Sequence, residues 1–148
     1  MTCPTRGEPP GVWLFDPSGQ GRRLEGVEGQ SPEALLVRPD GDTWFTVAGL
    51  PPSLCHLTGV QARCETIPTS GSWARALGER GADLVLVAGD GLWIYHTCTF
   101  NRQPLPMPDG GAWYLATAVR DRQQQIRGVA REQTTRGPGR HRLFRHAP

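Results

Sequence analysis

Residues 34–47 read Ala-Leu-Leu-Val-Arg-Pro-Asp-Gly-Asp-Thr-Trp-Phe-Thr-Val, two β-prone runs joined by a turn sequence. Pro39 presets φ for the turn, and Gly41 accepts a positive φ. The runs on either side are rich in apolar, aromatic and β-branched residues, which favour antiparallel pairing. The stretch therefore predicts a β-hairpin, and it guides the interpretation of the rest of the chain.

The same turn chemistry returns further along the chain. Residues 83–87 (Asp-Leu-Val-Leu-Val) precede a Gly-Asp-Gly turn and a second run at residues 92–95 (Leu-Trp-Ile-Tyr). Residues 108–111 (Pro-Asp-Gly-Gly) lead into a run that begins Ala-Trp-Tyr-Leu. A further strand pair is predicted from residues 113–119 to residues 126–130, with its turn within 120–124.

The three Asp-Gly turns are each followed by a tryptophan. Trp44, Trp93 and Trp113 are separated by 49 and then 20 residues, which is no fixed period. Propeller blades recur at about 40–50 residues. The spacing therefore predicts shared turn chemistry rather than a repeated architecture.

The composition favours a fold with many turns. Nineteen glycines and fourteen prolines occur among 148 residues, a length that suits one domain with its own core. One short helix is predicted over residues 72–80, with Ser70 or Ser72 as its N-cap and Gly81 as its stop. The predicted fold is mainly β: antiparallel hairpins forming a small barrel or sandwich with this one inserted helix. An α+β arrangement is the alternative.

Charge is divided along the chain. Residues 1–119 carry eight arginines against twelve acidic residues, and residues 120–148 carry eight arginines against two. From residue 134 onward, glycine, proline, arginine and histidine dominate. The sequence predicts an N-terminal extension over residues 1–10, a β-rich domain over 11–133 and a basic C-terminal tail over 134–148.

The basic end offers candidate binding residues. They are Arg131, Arg136, Arg140, Arg142 and Arg145. Their guanidinium groups could neutralise the phosphates of a nucleic acid or dock on an acidic neighbour in an assembly. A solvated tail without a partner is the alternative interpretation.

All sixteen basic residues are arginine, and there is no lysine. Codon usage in a G+C-rich genome is the favoured explanation, and selection for bidentate anion contacts is the other. Without lysine the chain cannot form a Walker-type phosphate loop, a Schiff base or a pyridoxal-phosphate anchor. It also lacks a Gly-x-Ser-x-Gly elbow, a His-Glu-x-x-His helix and an EF-hand loop.

Four residues are candidate metal ligands: Cys55, Cys64, His96 and Cys98. On a strand, His96 and Cys98 point to one face, as neighbouring ligands of a tetrahedral zinc site must. No Cys-x-x-Cys pair is present, and free cysteines are often buried in cores. No cofactor is therefore predicted, with zinc as the alternative. A nucleophilic pair of one of these cysteines with His96 or His56 lacks a local motif.

The tryptophans are candidate ligand-binding residues. The Asp-Gly-x-x-Trp pieces resemble the repeats of small bladed lectins, in which such tryptophans face the sugar. This resemblance implies a ligand-binding role for Trp44, Trp93 and Trp113, whereas packing in the core of a sheet is the favoured interpretation. Separately, the Gly-Val-Trp at residues 11–13 is similar to the first strand of lipocalin-type barrels.

Residues 1–10 are polar and contain no apolar signal region, and no apolar run reaches transmembrane length. A cytoplasmic or virion location with reduced cysteines is expected, with no membrane partner. The favoured function is a non-enzymatic assembly or interaction protein, such as an accessory structural component of a virion, with a protein partner or as a homo-oligomer. The alternatives are a nucleic-acid-associated protein that uses the arginine-rich tail and a small metal- or ligand-binding β-barrel.

Overall fold

The computed structural model describes residues 11–89, 91–103, 112–123, 125–133 and 139–146. Within these ranges the chain forms strands and no helix. The strands are β1 (Trp13–Phe15), β2 (Gly21–Arg23), β3 (Pro32–Val37), β4 (Thr43–Val47), β5 (Ser53–Thr58), β6 (Gln61–Thr66), β7 (Ala74–Arg80), β8 (Asp83–Ala88), β9 (Gly91–His96), β10 (Thr99–Gln103), β11 (Ala112–Arg120), β12 (Ile126–Gln133) and β13 (His141–His146).

The strands form four antiparallel sheets in which neighbours in sequence are neighbours in space. An N-terminal hairpin (β1–β2) is followed by sheet 1 (β3–β6), sheet 2 (β7–β10) and sheet 3 (β11–β13). The prediction of a mainly β fold is confirmed. The predicted barrel is wrong, because each described sheet keeps two unpaired edge strands and none closes on itself.

The core lies between the faces of the sheets. One buried cluster joins Leu36 and Leu54 of sheet 1 to Leu77 and Leu86 of sheet 2. A second cluster joins the opposite face of sheet 2 to sheet 3 through Ile126 and its neighbours. Sheet 2 is therefore covered on both faces, which explains the continuous apolar runs of its central strands.

Three predicted hairpins are confirmed. The Pro-Asp-Gly-Asp turn joins β3 to β4, with Val37 opposite Thr43, and β8 pairs with β9. β11 also pairs with β12 as the sequence predicts. At the turn between β11 and β12, the Asp121 side chain accepts the backbone N–H groups of Gln123 and Gln125. The predicted turn at residues 108–111 and the extension at 1–10 lie outside the described residues.

The predicted helix over residues 72–80 is wrong, because this segment forms β7. Ala74, Ala76, Leu77 and Gly78 are buried, and the strand pairs with β8 along its length. Alanine, leucine and glutamate favour helices in isolation, but side chains buried on alternate sides between sheets 1 and 3 favour a strand. Tertiary packing therefore overrides the local propensity.

The three sheets do repeat in the chain. They begin at Pro32, Ala74 and Ala112, so successive starts are 42 and 38 residues apart. The tryptophan spacing concealed this interval because Trp44 lies on the second strand of its sheet, Trp93 on the third and Trp113 on the first. The expectation that no architectural repeat exists is therefore corrected.

Part of the predicted tail is a strand. β13 pairs with β12, placing His141 opposite Arg131 and His146 opposite Ile126, whereas residues 134–138 lie outside the described residues. In the described ranges there is no helix long and apolar enough to cross a membrane.

Candidate functional site

The face of sheet 3 that points away from sheet 2 collects arginine side chains. Along β12, Ile126 and Ala130 are buried against sheet 2, so the alternate residues Arg127, Val129 and Arg131 point outward. On β13 the outward partners of those three are Arg145, Leu143 and His141. We call these six residues, together with Val119 opposite Arg127 on β11, the arginine face.

Two exposed apolar side chains flank the central strand of the arginine face. Leu143 of β13 is 82% exposed and Val119 of β11 is 61% exposed, although both lie on regular, paired strands. Leu143 is directly opposite Val129, and Arg145 lies two residues further along β13, opposite Arg127. Exposed apolar side chains next to arginines are typical of the composition of a protein–protein interface.

The arginines of this face differ in their local partners. The Nε atom of Arg127 lies 2.6 Å from Oδ2 of Asp121. Desolvation opposes ionisation of Asp121, but the backbone N–H of Gln125 and the Arg127 guanidinium outweigh it and hold the pKa of Asp121 below its usual range. Arg131 and Arg145 are exposed and have no ion pair with any described acidic residue.

The five predicted arginines are only partly brought together. Arg131 and Arg145 lie on the arginine face, whereas Arg142 is opposite the buried Ala130 and belongs to the other side of β13. Arg140 precedes β13 and takes part in an interaction of its own. Arg136 lies outside the described residues. Arg127 was not among the predicted residues, because the candidate arginines were taken from residue 131 onward.

A second exposed apolar surface lies at the opposite end of the stack. On the side of sheet 1 that points away from sheet 2, Leu35 is 63% exposed and Val37 is 55% exposed. A cavity of about 350 Å³ opens beside Leu35, bounded by Phe45 and Leu57 of the same face and by Leu14 of the N-terminal hairpin. We call Leu14, Leu35, Val37 and Leu57 the leucine face.

The N-terminal hairpin and the segment after it cover only part of that side of sheet 1. Leu24 and Val27 pack on Phe45, Cys55 and Ala62, towards β5 and β6. Gly26 has φ of +89°, and a Cβ there would lie 2.4 Å from the Ala62 carbonyl oxygen, so the close approach requires glycine. On this side of sheet 1, the part formed by β3 remains exposed.

The four predicted metal ligands do not converge. Cys55 and Cys64 are opposite one another on β5 and β6 and form a disulfide, so their sulfur atoms are not thiolates. His96 and Cys98 lie on the β9–β10 hairpin of sheet 2. Within the described ranges no group of three or more histidine, cysteine or acidic residues is arranged to hold a metal ion.

The β9–β10 turn presents the exposed, free Cys98. Thr97 and Cys98 both adopt positive φ, 47° and 60°, in the two-residue turn. Cys98 hydrogen-bonds the Tyr95 hydroxyl, whereas Nδ1 of His96 contacts Oδ1 of Asp83. His96 is thus paired with a carboxylate, whereas Cys98 interacts with a buried tyrosine.

Trp44 belongs to a polar network at one end of sheets 1 and 2. Its indole N–H donates to Oδ2 of Asp42 at 2.8 Å, and its ring stacks on His56 at 4.2 Å. Nε2 of His56 lies 2.6 Å from Oδ1 of Asp42. Burial opposes ionisation of Asp42, but the hydrogen bonds from His56 and Trp44 outweigh it and hold the pKa of Asp42 below its usual value.

The same network links the two sheets. Nη1 of Arg38 lies 3.4 Å from Asp42, and its Nε lies 3.1 Å from Glu79 of β7. The Trp44 ring also approaches Tyr95 of sheet 2, with centroids 5.7 Å apart. Trp44, His56 and Asp42 are thus held by contacts within the fold.

The other two predicted tryptophans do not join Trp44. Trp93 is 7% exposed and packs in the core between sheets 1 and 2. Trp113 lies on β11, opposite Glu132, and its side chain lies outside the described residues. Trp13, which was not predicted as a site residue, is the tryptophan that borders the cavity at the leucine face.

Comparisons with known proteins do not identify a relative: no protein-family model matches the chain, and no curated protein or solved structure matches it either. The arginine face and the leucine face are therefore judged on their own chemistry.

Proposed function

We propose that this chain is a non-enzymatic interaction protein, a component of a larger protein assembly, and that the arginine face of sheet 3 is its binding surface. The observation that carries the proposal is Leu143, which is 82% exposed on a paired strand with arginines at neighbouring ladder positions.

The composition of the arginine face favours a protein partner. Interfaces are enriched in arginine and in apolar side chains that become desolvated at their centre. Covering a leucine stabilises a complex by about 1.5 to 3 kcal/mol, which a solvated phosphate backbone does not provide. Phosphate binding requires cations, and the exposed apolar side chains of Leu143 and Val119 do not contribute to it.

The electrostatic pattern also favours binding. Arg127 is directly opposite Arg145 across β12 and β13, and like charges in such a pair repel each other. Arg131 lies about 13 Å further along β12 at the usual rise of a strand. Carboxylates of a partner would remove this repulsion, so part of the binding free energy should be lost at high salt.

Sedimentation velocity of the purified protein over a range of concentrations tests the proposal. We expect concentration-dependent association at low salt that weakens as salt rises. Arg131→Glu/Arg145→Glu should abolish it, whereas Arg63→Glu/Arg80→Glu should leave it unchanged. These control arginines are exposed on sheets 1 and 2 and carry the same change in charge.

Two outcomes would overturn the proposal. A protein that stays monomeric at every concentration and at low salt has no self-assembly surface. Fluorescence anisotropy with a short DNA duplex addresses the alternative. Tight, salt-dependent DNA binding that Arg131→Glu/Arg145→Glu removes, in a protein that does not self-associate, would assign the arginine face to nucleic acid.

A further inference from the structure

The three sheets share one geometric relationship. β3 lies against β7, and β7 lies against β11, so the first strands of successive sheets are neighbours. The sheets stack face to face from this common side and recur at intervals of 42 and 38 residues. Four-stranded antiparallel sheets arranged around a common centre are the units of ring-shaped β assemblies, which have 4–8 of them and close when the first sheet meets the last. Sheets 1 and 2 have four strands each, and three strands of sheet 3 are described.

The two ends of this stack differ in charge. Residues 11–66, which form the N-terminal hairpin and sheet 1, carry seven acidic residues against four arginines, a net charge of −3. Residues 112–148, which include sheet 3, carry eight arginines against two acidic residues, a net charge of +6. The end with the leucine face is therefore acidic, and the end with the arginine face is basic.

The two ends also match in their apolar content. Leu35 and Val37 are exposed on the first strand of sheet 1, and Val119 is exposed on the first strand of sheet 3. Within the molecule, the corresponding first strands of adjacent sheets lie against one another. Bringing sheet 3 onto sheet 1 of another copy would continue the stacking that already joins sheet 1 to sheet 2 and sheet 2 to sheet 3.

We propose that two copies of this chain associate head to tail, with the arginine face of each covering the leucine face of the other. Six sheets then form one closed ring, in which Val119 of β11 lies against Leu35 and Val37 of β3. The interface is heterologous, because two different surfaces meet, and it is used twice in the closed dimer. This inference rests on the proposed function and adds the identity of the partner and of the receiving surface.

A mixing experiment distinguishes this arrangement from a dimer in which like faces meet. Val119→Asp/Arg131→Glu disables the arginine face and leaves the leucine face intact. Leu35→Asp/Val37→Asp disables the leucine face and leaves the arginine face intact. We expect the wild type at twice the monomer mass and each variant alone at the monomer mass. An equimolar mixture keeps one of the two interfaces intact, so it should also reach twice the monomer mass, at a higher concentration than the wild type.

Leu50→Asp is the matched control, because Leu50 is 85% exposed and belongs to neither face. It should leave the dimer intact. If the mixture dimerises no more readily than either variant alone, or if Leu35→Asp/Val37→Asp dimerises alone, the head-to-tail interface is overturned. In the second case the proposed function stands, because the arginine face still associates; only a monomeric wild type removes both.

Directional cross-linking tests the same contact without disabling either face. In a Cys3→Ser/Cys98→Ser background, Leu35→Cys and Val119→Cys chains are prepared separately and mixed under mild oxidation. Cross-linked dimers should form at least ten times faster in the mixture than in either chain alone or in a mixture of Leu50→Cys with Val119→Cys. Rapid cross-linking of Val119→Cys with itself would show an arginine-face dimer and overturn the inference.

Discussion

Sheet 2 is covered on both faces, whereas sheets 1 and 3 each keep part of one face at the surface. Its central strands consist of apolar residues that are almost all buried, including Leu86, Val87 and Leu92 at 0% exposure. β12 instead alternates between buried residues and exposed arginines. Strands built with similar turns thus serve different purposes: sheet 2 provides stability, and its flanking sheets provide surfaces for a partner.

The largest expected loss of stability comes from a core position of sheet 2, compared with an exposed position of sheet 3. Leu86→Ala should lower the free energy of unfolding by about 2 to 5 kcal/mol, because it leaves a cavity between sheets 1 and 2. Leu143→Ala removes the same atoms from an exposed site and should change it by less than about 0.5 kcal/mol. Urea denaturation at low protein concentration measures both. Equal losses would show that Leu143 is not at the surface of the monomer.

A second difference concerns what holds sheet 1 together. The Cys55–Cys64 disulfide links β5 to β6 on the side that sheet 2 does not cover. It closes a loop of about ten residues, so its loss should cost about 2 to 3 kcal/mol in the chain-entropy description.

Urea denaturation with and without a reductant measures the effect of the disulfide, and Cys55→Ala/Cys64→Ala should match the reduced protein. Cys98→Ser, which removes the exposed free thiol, should not change the midpoint. Titration of thiols in the unreduced, denatured wild type tests the bond directly: because the chain has four cysteines, more than two reactive thiols would show that the bond does not form.

The elements that the sequence predicts best are those fixed by local turn chemistry. The turn of residues 39–42 predicts the β3–β4 hairpin because proline and glycine each satisfy a backbone requirement within four residues. β7 could not be predicted in this way. Its alanines and leucine suit a helix, and only the two sheets that pack on Ala76 and Leu77 make the strand favourable.

The candidate site shows the same limit. A cluster of arginines predicts a basic surface, but the division between Arg131 and Arg142 depends on the register of β12 with β13. The strand alternation of residues 126–131, Ile-Arg-Gly-Val-Ala-Arg, is visible in the sequence and could have placed Arg127 on that face. The leucine face could not be found, because a run such as Ala-Leu-Leu-Val is typical of a strand buried on both sides.

A smaller loss of stability is expected when the Asp42 network, which links sheets 1 and 2, is weakened. At pH 7, Asp42→Asn should lower the free energy of unfolding by about 1 to 2 kcal/mol, because it weakens the contacts with His56, Trp44 and Arg38. The pKa of Asp42 is lowered in the folded state, so its contribution is present above the unfolded pKa near 4 and is lost as the pH falls through the lower folded value.

Denaturation of the wild type and Asp42→Asn at several pH values from 7 to 2 should therefore give curves that converge at the acidic end. Asp40→Asn is the control, because an asparagine oxygen can still accept the hydrogen bond from the Asp42 backbone N–H. A constant difference between the wild type and Asp42→Asn down to pH 2 would contradict the assigned role of the carboxylate.

The smallest effect should come from Tyr95, which connects sheet 2 to the edge of sheet 1. Its hydroxyl donates to Oε1 of Glu65 at 2.9 Å. Burial raises the pKa of Tyr95, and the hydrogen bonds with Glu65 and Cys98 raise it further. The neutral hydroxyl is thus favoured in the folded state, so this contribution is present below the unfolded pKa near 10 and declines as the pH rises above it.

Tyr95→Phe should lower the free energy of unfolding by about 1 kcal/mol at pH 8 and should lose less stability than the wild type between pH 10 and 11. Glu65→Gln keeps an acceptor for the hydroxyl but removes its negative charge. It should stay within about 0.5 kcal/mol of the wild type at pH 8 and bring the absorbance titration of Tyr95 to a lower pH. A titration of Tyr95 that Glu65→Gln does not shift would show that burial alone protects the hydroxyl, and that the carboxylate of sheet 1 contributes nothing to holding sheet 2.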